Sequence, residues 1–244
     1  MGKFSLEGYK ELLSSLQNLG YVFVEGSFCD DRKNEISLKH RECFLRHDVD
    51  TCVDSALEIA QLERSLGISS SFFFLVNTSI YNCLGESEVK KIRKIRSLGH
   101  SVALHVDFWK LGSDDLDLLT QIQSQVAIFG AVGIPTINLV SFHRPDKCLL
   151  RSPKIGPYFH TYQPEFLDDC VYRSDSKGLF RYGHPLDCKE IVVEKRGLHL
   201  LIHPEWWVYQ VLDPAEKAQD MVVAAQKRIR QHISYNCSVV KPHD

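Results

Sequence analysis

The run His47-Asp48-Val49-Asp50 places two carboxylates and an imidazole after an apolar, strand-like segment at residues 43–46. If this segment is a buried parallel strand, Asp48 and Asp50 lie just past its carboxyl end, where α/β folds carry their active sites. Because they are two residues apart, the two carboxylates can share one face. One could hold a divalent cation while the other takes a proton, provided that further metal ligands come from elsewhere in the chain.

Four more polar clusters follow apolar runs. They are His105-Val106-Asp107, His143-Arg144-Pro145, Ser174-Asp175-Ser176 and His203-Pro204-Glu205. Taken singly, Asp50 could be a helix N-cap, His105 a hydrogen-bonded structural residue and Asp175 a turn residue. Their joint placement after successive strands instead favours one site at one end of a barrel.

Strands that alternate with helices must position these groups. Apolar runs predict strands at residues 21–24, 43–46, 71–76, 101–104, 136–142, 171–173 and 198–202. Amphipathic patterns predict helices up to residue 19, at 53–66, 86–98 and 114–129, and from Pro214 after a capping Asp213. This alternation predicts an α/β fold with a mostly parallel sheet and right-handed crossovers.

The chain has 244 residues, of which 44% are hydrophobic, so it can bury a large core. It contains no linker-like stretch, low-complexity block or internal repeat, which favours one domain over residues 1–244. The formal charge of −2, without a basic stripe, gives little reason to expect nucleic acid or an anionic membrane as a partner. A small polar or saccharide substrate is the expected partner, and the oligomeric state is not predicted.

The sequence also predicts a compartment. The amino terminus lacks the uninterrupted apolar core of a signal peptide, and no run is long enough to span a bilayer. The eight cysteines include no Cys-x-x-Cys pair and lie largely within apolar patterns. Reduced thiols in a cytoplasmic protein are the simplest interpretation.

Over roughly residues 40 to 210, these motifs resemble the polysaccharide deacetylases, the NodB-type carbohydrate esterases of family 4, whose fold is an irregular, incomplete (β/α) barrel. Segment 45–50 is similar to the family's strand that ends in an aspartate pair, one a general base and one a metal ligand. The resemblance implies that Asp48 is the base. Val49 stands where the family has its metal aspartate, so the ligand role would pass to Asp50.

The stretch that leads from a Gly-His pair to His105 is similar to the family's second motif, which supplies two metal histidines one helical turn apart. His105 matches the first of them, and Trp109 occupies the place of the second. His143 is the leading replacement as third metal ligand, with Asp107 or His47 as the alternatives.

Two later motifs imply catalytic roles. Arg144-Pro145 resembles the family's Arg-Pro motif, whose arginine orients the base, and the Leu-Leu-Ile-His-Pro run that contains His203 resembles the motif that carries the general acid. Segment 172–176, with Arg181, resembles a divergent branch that has a His-Asp-Val-Asp opening and is tied to bacterial surface polysaccharide assembly. Asp175 and Arg181 are therefore candidate substrate-binding residues.

Trp206 is a third candidate for substrate binding. Together with Trp207 and Tyr209, it forms an aromatic cluster directly after the proposed acid, and such rings can stack on the apolar face of a sugar. Aromatic side chains at this position could equally close the barrel.

The resemblance implies a metal-dependent hydrolase that removes an acyl group, typically N-acetyl, from an amino sugar or glycan precursor. A cation on Asp50 and the two histidines would polarise the carbonyl, Asp48 would accept a proton from water and His203 would protonate the leaving amine. Arg144 would hold Asp48 ionised. Zinc suits a mixed imidazole and carboxylate shell with an open position, and cobalt, nickel and manganese are alternatives.

Two other functions are compatible with the sequence. The same barrel and metal could hydrolyse a carbon–nitrogen bond in a small non-sugar amide, since one fold supports several chemistries. The chain could also be an inactive descendant that binds a glycan or scaffolds a biosynthetic complex. The departures at Val49 and Trp109 motivate this last hypothesis.

Overall fold

The computed structural model describes residues 4–32, 36–107, 115–209, 213–237 and 239. Its strands are β1 (Val22–Val24), β2 (Glu42–Val49), β3 (Ser71–Leu75), β4 (Ser101–Asp107), β5 (Leu139–His143), β6 (Phe159–His160), β7 (Val171–Ser174) and β8 (Leu198–Ile202). Its helices are α1 (Leu6–Asn18), α2 (Phe28–Arg32), α3 (Val53–Ser65), α4 (Glu86–Ser97), α5 (Asp115–Ala131), α6 (Pro164–Leu167), α7 (Lys189–Val192), α8 (Glu205–Val208) and α9 (Pro214–Asn236).

The strands form one sheet in which all pairs are parallel, which confirms the predicted α/β class. Seven strands curl into a half-barrel in the order β6-β5-β4-β3-β2-β8-β7, and β1 pairs with the beginning of β2. Parallel neighbours need crossover connections, and α3, α4 and α5 supply them between β2, β3, β4 and β5. β6 and β7 are the two end strands, so the half-barrel has a seam between them.

Two apolar clusters cover the two faces of this sheet. The larger one joins the outward-facing residues of the strands, such as Leu45 and Val49, to the buried faces of α1, α3 and α4. The smaller one fills the interior with residues that include Phe44, Phe73 and Ala103. Because side chains alternate along a strand, Arg46 and Asp48 share the interior face with Phe44.

Strands β2 and β4 are longer than the sequence predicted. The predicted strands ended at residues 46 and 104, whereas the observed ones continue to Val49 and Asp107. Both are inner strands of the sheet, and the added residues pair with neighbours on β3 and β5: Asp48 lies opposite Phe73, and His105 opposite Ser141. Asp48 and His105 are therefore held inside strands, and their polar groups face the barrel interior rather than a loop.

The last helix begins where the sequence predicted. The Asp213 side chain accepts hydrogen bonds from the backbone N–H groups of Ala215 and Glu216, at 2.8 and 3.1 Å, and Pro214 occupies the first turn. One short helix was missed, because α2 lies in the stretch from residue 25 to 42 that the sequence predicted to be irregular.

All eight cysteines lie in the described part of the chain and are free thiols. The described helices include none with the length and apolar character required to cross a bilayer.

Candidate active site

Three side chains predicted as metal ligands meet at the carboxyl ends of the strands. Asp50 follows β2, His105 lies on β4 and His143 is the last residue of β5. Asp50 Oδ1 is 3.2 Å from His105 Nε2 and 3.3 Å from His143 Nδ1, and one ligand atom from each residue falls within 4.8 Å of the other two. These three residues form a possible site for a divalent metal.

The donor groups of this cluster fit a cation. Asp50 Oδ1 is buried, yet it accepts no hydrogen bond of acceptable geometry from the described residues. Burial by itself would raise the pKa of Asp50, but the facing imidazoles of His105 and His143 outweigh it and hold that pKa well below its usual range. The carboxylate is therefore ionised and has a lone pair free for a metal.

Ser141 orients one of the imidazoles. Its Oγ lies 2.8 Å from His105 Nδ1. When Nδ1–H donates to this hydroxyl, the lone pair of Nε2 faces Asp50, which is the tautomer that a metal ligand needs. A histidine whose other nitrogen is held in this way is typical of metal centres.

Asp48 is held by Arg46 and not by Arg144. Arg46 Nε and Nη2 donate to the two carboxylate oxygens of Asp48 at 2.8 and 2.6 Å, and both side chains are buried. Burial by itself would raise the pKa of Asp48, but the guanidinium of Arg46 outweighs it and lowers that pKa to about 2. The sequence contained the signal, since residues 46 and 48 share one face of a strand.

Arg144 takes a different partner from the predicted one. Its Nη2 donates to both carboxylate oxygens of Asp107 at 2.9 and 3.0 Å, in a solvent-accessible position. The backbone of Arg144 has a φ of 53°, in the left-handed region, because the chain turns sharply after β5. The prediction that Arg144 orients Asp48 is therefore wrong.

The two alternatives for the third ligand are engaged elsewhere. His47 points to the outer face of β2, where its Nε2 lies 2.7 Å from Glu63 Oε1. Asp107 lines the cavity but forms the ion pair with Arg144. Of the three candidates, His143 is the one that joins Asp50 and His105.

Asp175, a predicted substrate-binding residue, is bound by neighbouring groups of the protein and does not line the cavity that Asp107 lines. Its carboxylate is buried; Oδ1 lies 2.6 Å from His203 Nδ1, and Oδ2 accepts a hydrogen bond from Trp207 Nε1 at 2.7 Å. It also accepts from the backbone N–H of His203 at 3.0 Å. Both oxygens of Asp175 are therefore engaged by the protein, and the contact with Nδ1 fixes the imidazole of His203.

The other nitrogen of His203 faces the cluster of Asp50, His105 and His143. His203 Nε2 lies 3.8 Å from Asp50 Oδ2. Burial by itself would lower the pKa of His203, but the carboxylate of Asp175 outweighs burial and raises it to about 10. The imidazole is therefore a cation at neutral pH and presents an Nε2–H proton toward the cluster.

A cavity of about 520 Å³ opens above these groups. It is lined by Asp50, His143 and His203, together with the predicted aromatic Trp206. Arg181, which the sequence suggested as a substrate-binding residue, lines a second cavity at the barrel seam instead of this one. Trp109 lies outside the described residues.

Glu205 is a functional candidate that the sequence reasoning did not select. It lines the same cavity as Asp50 and His203, is buried, and its Oε2 has no hydrogen-bond partner among the described residues. Burial and the nearby charge of Asp50 raise the pKa of Glu205 to about 8. The sequence did contain a signal for Glu205, since this residue belongs to the His203-Pro204-Glu205 cluster that follows an apolar run.

No protein-family model matches this chain, and no curated protein sequence matches it. Comparison with solved structures finds a chitin deacetylase from the fungal pathogen Colletotrichum lindemuthianum, 16% identical, with a TM-score of 0.45 over 75% of this chain and 81% of that chain. A family 4 carbohydrate esterase from Bacillus anthracis is 15% identical, with a TM-score of 0.43 over 90% of this chain and 86% of that chain.

A family 4 carbohydrate esterase from Streptomyces lividans, in complex with acetate, is 14% identical to this chain. Its TM-score is 0.38, over 75% of this chain and 85% of that chain. Because one fold hosts many activities, these likenesses concern the fold alone, and the function has to be inferred from the side chains of this chain.

Proposed function

We propose that this protein is a metal-dependent hydrolase that removes an acyl group, N-acetyl in the first instance, from an amino sugar or a glycan precursor. The observation that carries the proposal is the cluster of Asp50, His105 and His143 beside a cavity, with the imidazole of His203 facing it. A divalent cation bound there would polarise the acyl carbonyl and lower the pKa of water.

His203 is the proposed proton donor. Hydrolysis adds the oxygen of water to the acyl carbon and breaks the carbon–nitrogen bond, so the leaving nitrogen needs a proton. His203 Nε2–H faces the cluster, and Asp175 keeps the imidazole protonated. After transfer of this proton, the products are a carboxylate and a free amine.

Asp48 is the proposed acceptor of the proton from water. Its Oδ2 lies 3.7 Å from His105 Nε2, and its low pKa keeps it ionised. Glu205 is the competing acceptor because it lines the cavity. Burial and the charge of Asp50 raise its pKa to about 8, and a cation on Asp50 would oppose the second of these effects.

Zinc is the cation that we propose first, because two imidazoles and one carboxylate with an open position suit it. Cobalt, nickel and manganese accept similar donors and are the alternatives. Trp206 offers the cavity an aromatic face, which supports a sugar ring as part of the substrate. The eight free thiols support a cytoplasmic location.

Metal content and acyl release together test the proposal. Protein purified under metal-replete conditions should hold about one divalent ion per chain, measured by plasma mass spectrometry. It should also release acetate from N-acetylated amino sugars. Asp50→Ala should lose both properties, whereas the same change at the exposed Asp187 should alter neither.

Two outcomes would contradict this proposal in different ways. A protein that holds no metal, with Asp50→Ala unchanged in every assay, would favour the inactive glycan-binding or scaffold alternative. A metal-loaded protein that hydrolyses small non-sugar amides but none of the acetylated sugars would favour the second hydrolase alternative.

A further inference from the structure

A second cavity, of about 680 Å³, lies at the seam of the half-barrel. Tyr172 and Arg173 of the end strand β7 line it from one side, and Tyr162, which follows the other end strand β6, lines it from the opposite side. The linings of the two cavities meet in the sequence: Arg144 lines the first cavity, and Pro145, the next residue, lines the second. The proposed hydrolase function does not use this second cavity.

The seam cavity is rich in guanidinium groups. Four arginines line it, namely Arg151, Arg173, Arg181 and Arg196. Among the described lining residues, Glu190 is the one acidic group, and outside the lining Asp168 pairs with Arg151 at 2.7 Å. Positive charge therefore exceeds negative charge here, although the whole chain has a formal charge of −2.

Two hydrogen bonds fix the guanidinium of Arg173, and one of its N–H groups has no partner among the described residues. Its Nη1 donates to the Tyr172 carbonyl at 2.9 Å, and its Nη2 contacts Cys188 Sγ at 2.8 Å. Its Nε is buried and has no hydrogen-bond partner among the described residues. The contacts of Nη1 and Nη2 hold the guanidinium of Arg173 in place at the wall of the cavity, where its charge adds to that of the other arginines.

We propose that the seam cavity binds a ligand that carries a phosphate or pyrophosphate group. Guanidinium forks match the oxygens of phosphate, and several of them around one cavity suit an anion with more than one charge. The rings of Tyr172 and Tyr182, whose centroids are 6.2 Å apart, offer aromatic surface to a sugar or base attached to that phosphate.

Calorimetric titration of the full chain with inorganic pyrophosphate at low salt tests this site. We expect saturable binding that weakens as salt screens the charges. Arg181→Gln combined with Arg196→Gln should weaken binding at least about tenfold, because two charge-assisted contacts are lost. The matched control combines Arg93→Gln with Arg96→Gln, which removes two exposed arginines from α4 and should leave binding unchanged.

The same titration distinguishes binding at the seam cavity from binding at the cluster of Asp50, His105 and His143, and it identifies the source of the phosphate. Binding must persist in Asp50→Asn, since pyrophosphate held by a metal would be lost there. If a nucleoside diphosphate binds more tightly than pyrophosphate, its nucleoside contributes by stacking on the tyrosines. If the two ligands bind with equal affinity, the site holds the phosphate groups alone. No saturable binding, equal loss in both double variants, loss in Asp50→Asn, or a preference for acetate over pyrophosphate would overturn the proposal.

Discussion

At the scale of single residues, proton transfer in the candidate site depends on how neighbouring charges set the pKa of each group. His203 Nδ1 lies 2.6 Å from Asp175 Oδ1, whereas its Nε2 is directed to Asp50. A carboxylate can accept but not donate, so the Nδ1 proton belongs to the imidazole. Because the carboxylate of Asp175 also raises the pKa of His203 to about 10, Nε2 carries a second proton, and this N–H faces the cavity.

The role of Asp175 can be measured directly. In the metal-free protein, Asp175→Asn should lower the pKa of His203 from about 10 toward its ordinary 6.5, because burial is then opposed only by the weaker effects of Asp50 and Glu205. The protonated form of His203 would be lost at lower pH, so the alkaline limb of activity should also move down. An NMR titration of the histidine ring protons checks the pKa. An unchanged His203 titration in folded Asp175→Asn would refute the positioning role.

Asp48 and Glu205 are the two candidate acceptors of the water proton. Asp48→Asn should keep near-normal metal content and lose activity by about 10²-fold or more, the usual contribution of a general base. His105→Ala should lose metal and activity together. Both properties can be measured on the same preparations by mass spectrometry and acetate release.

Glu205→Gln is the matched control for Asp48→Asn, since each change removes one carboxylate and keeps its shape. We expect Glu205→Gln to retain most of the activity. If Glu205→Gln abolished turnover while Asp48→Asn retained it, Glu205 would be the acceptor. Equal loss of metal in Asp48→Asn and His105→Ala would show that Asp48 is a ligand.

At the scale of elements, a buried polar network joins helices to the sheet behind the site. Glu63 on α3 contacts His47 on β2 through Oε1 and accepts a hydrogen bond from Ser70 Oγ through Oε2, at 2.7 and 2.6 Å. Tyr9 on α1 also donates to Glu63. Since His47 is next to Asp48, this network fixes the strand that carries the proposed base.

Glu63→Ala should destabilise the protein by about 3–5 kcal/mol, because it leaves buried partners unpaired. The exposed Glu58→Ala on the same helix should stay within about 0.5 kcal/mol of wild type. Denaturant unfolding measures both variants. A loss no larger than that of Glu58→Ala would show that the network contributes little to stability.

The contribution of Glu63 to the stability of the protein depends on pH. Burial by itself would raise the pKa of Glu63, but His47 outweighs it, and the pKa lies below the ordinary value of 4.5. A carboxyl whose pKa is lowered by folding stabilises the protein above its unfolded pKa and loses that effect as pH falls. The difference in stability between wild type and Glu63→Ala should therefore shrink as pH falls below 4.5.

At the scale of the whole molecule, the barrel and the last helix contribute unequally to stability. Lys217 is the one buried residue among those described in α9, and the rest of this helix is at least partly exposed. Met221 lines the first cavity, whereas the turns after Lys227 contribute nothing to it.

Truncation after Lys227 should leave metal content unchanged and shift the melting temperature by no more than about 2–4 °C, as expected for a loss near 1 kcal/mol in a chain of this size. Calorimetry and metal analysis measure the two effects. A larger drop would mean that the distal part of α9 packs against a surface that the isolated chain leaves open, such as a second copy.

The sequence by itself determined the α/β class, the alternation of strands and helices, and the residues that could bind a metal. These features are local: apolar periodicity defines each strand, and Asp50, His105 and His143 each follow or end an apolar run. Parallel strands then bring their carboxyl ends together whatever the details of the loops. This is why the ligand set could be proposed from motif positions alone.

The tertiary structure decided which charged groups meet, because contacts across a sheet depend on strand order and register. It assigned Arg144 to Asp107, and it made Asp175 the partner of His203. It also placed Arg181 in the cavity at the seam between β6 and β7, whereas Asp50, His143 and His203 line the first cavity. Sequence separation gives no measure of these distances, since each side chain takes its partner only after the strands have aligned.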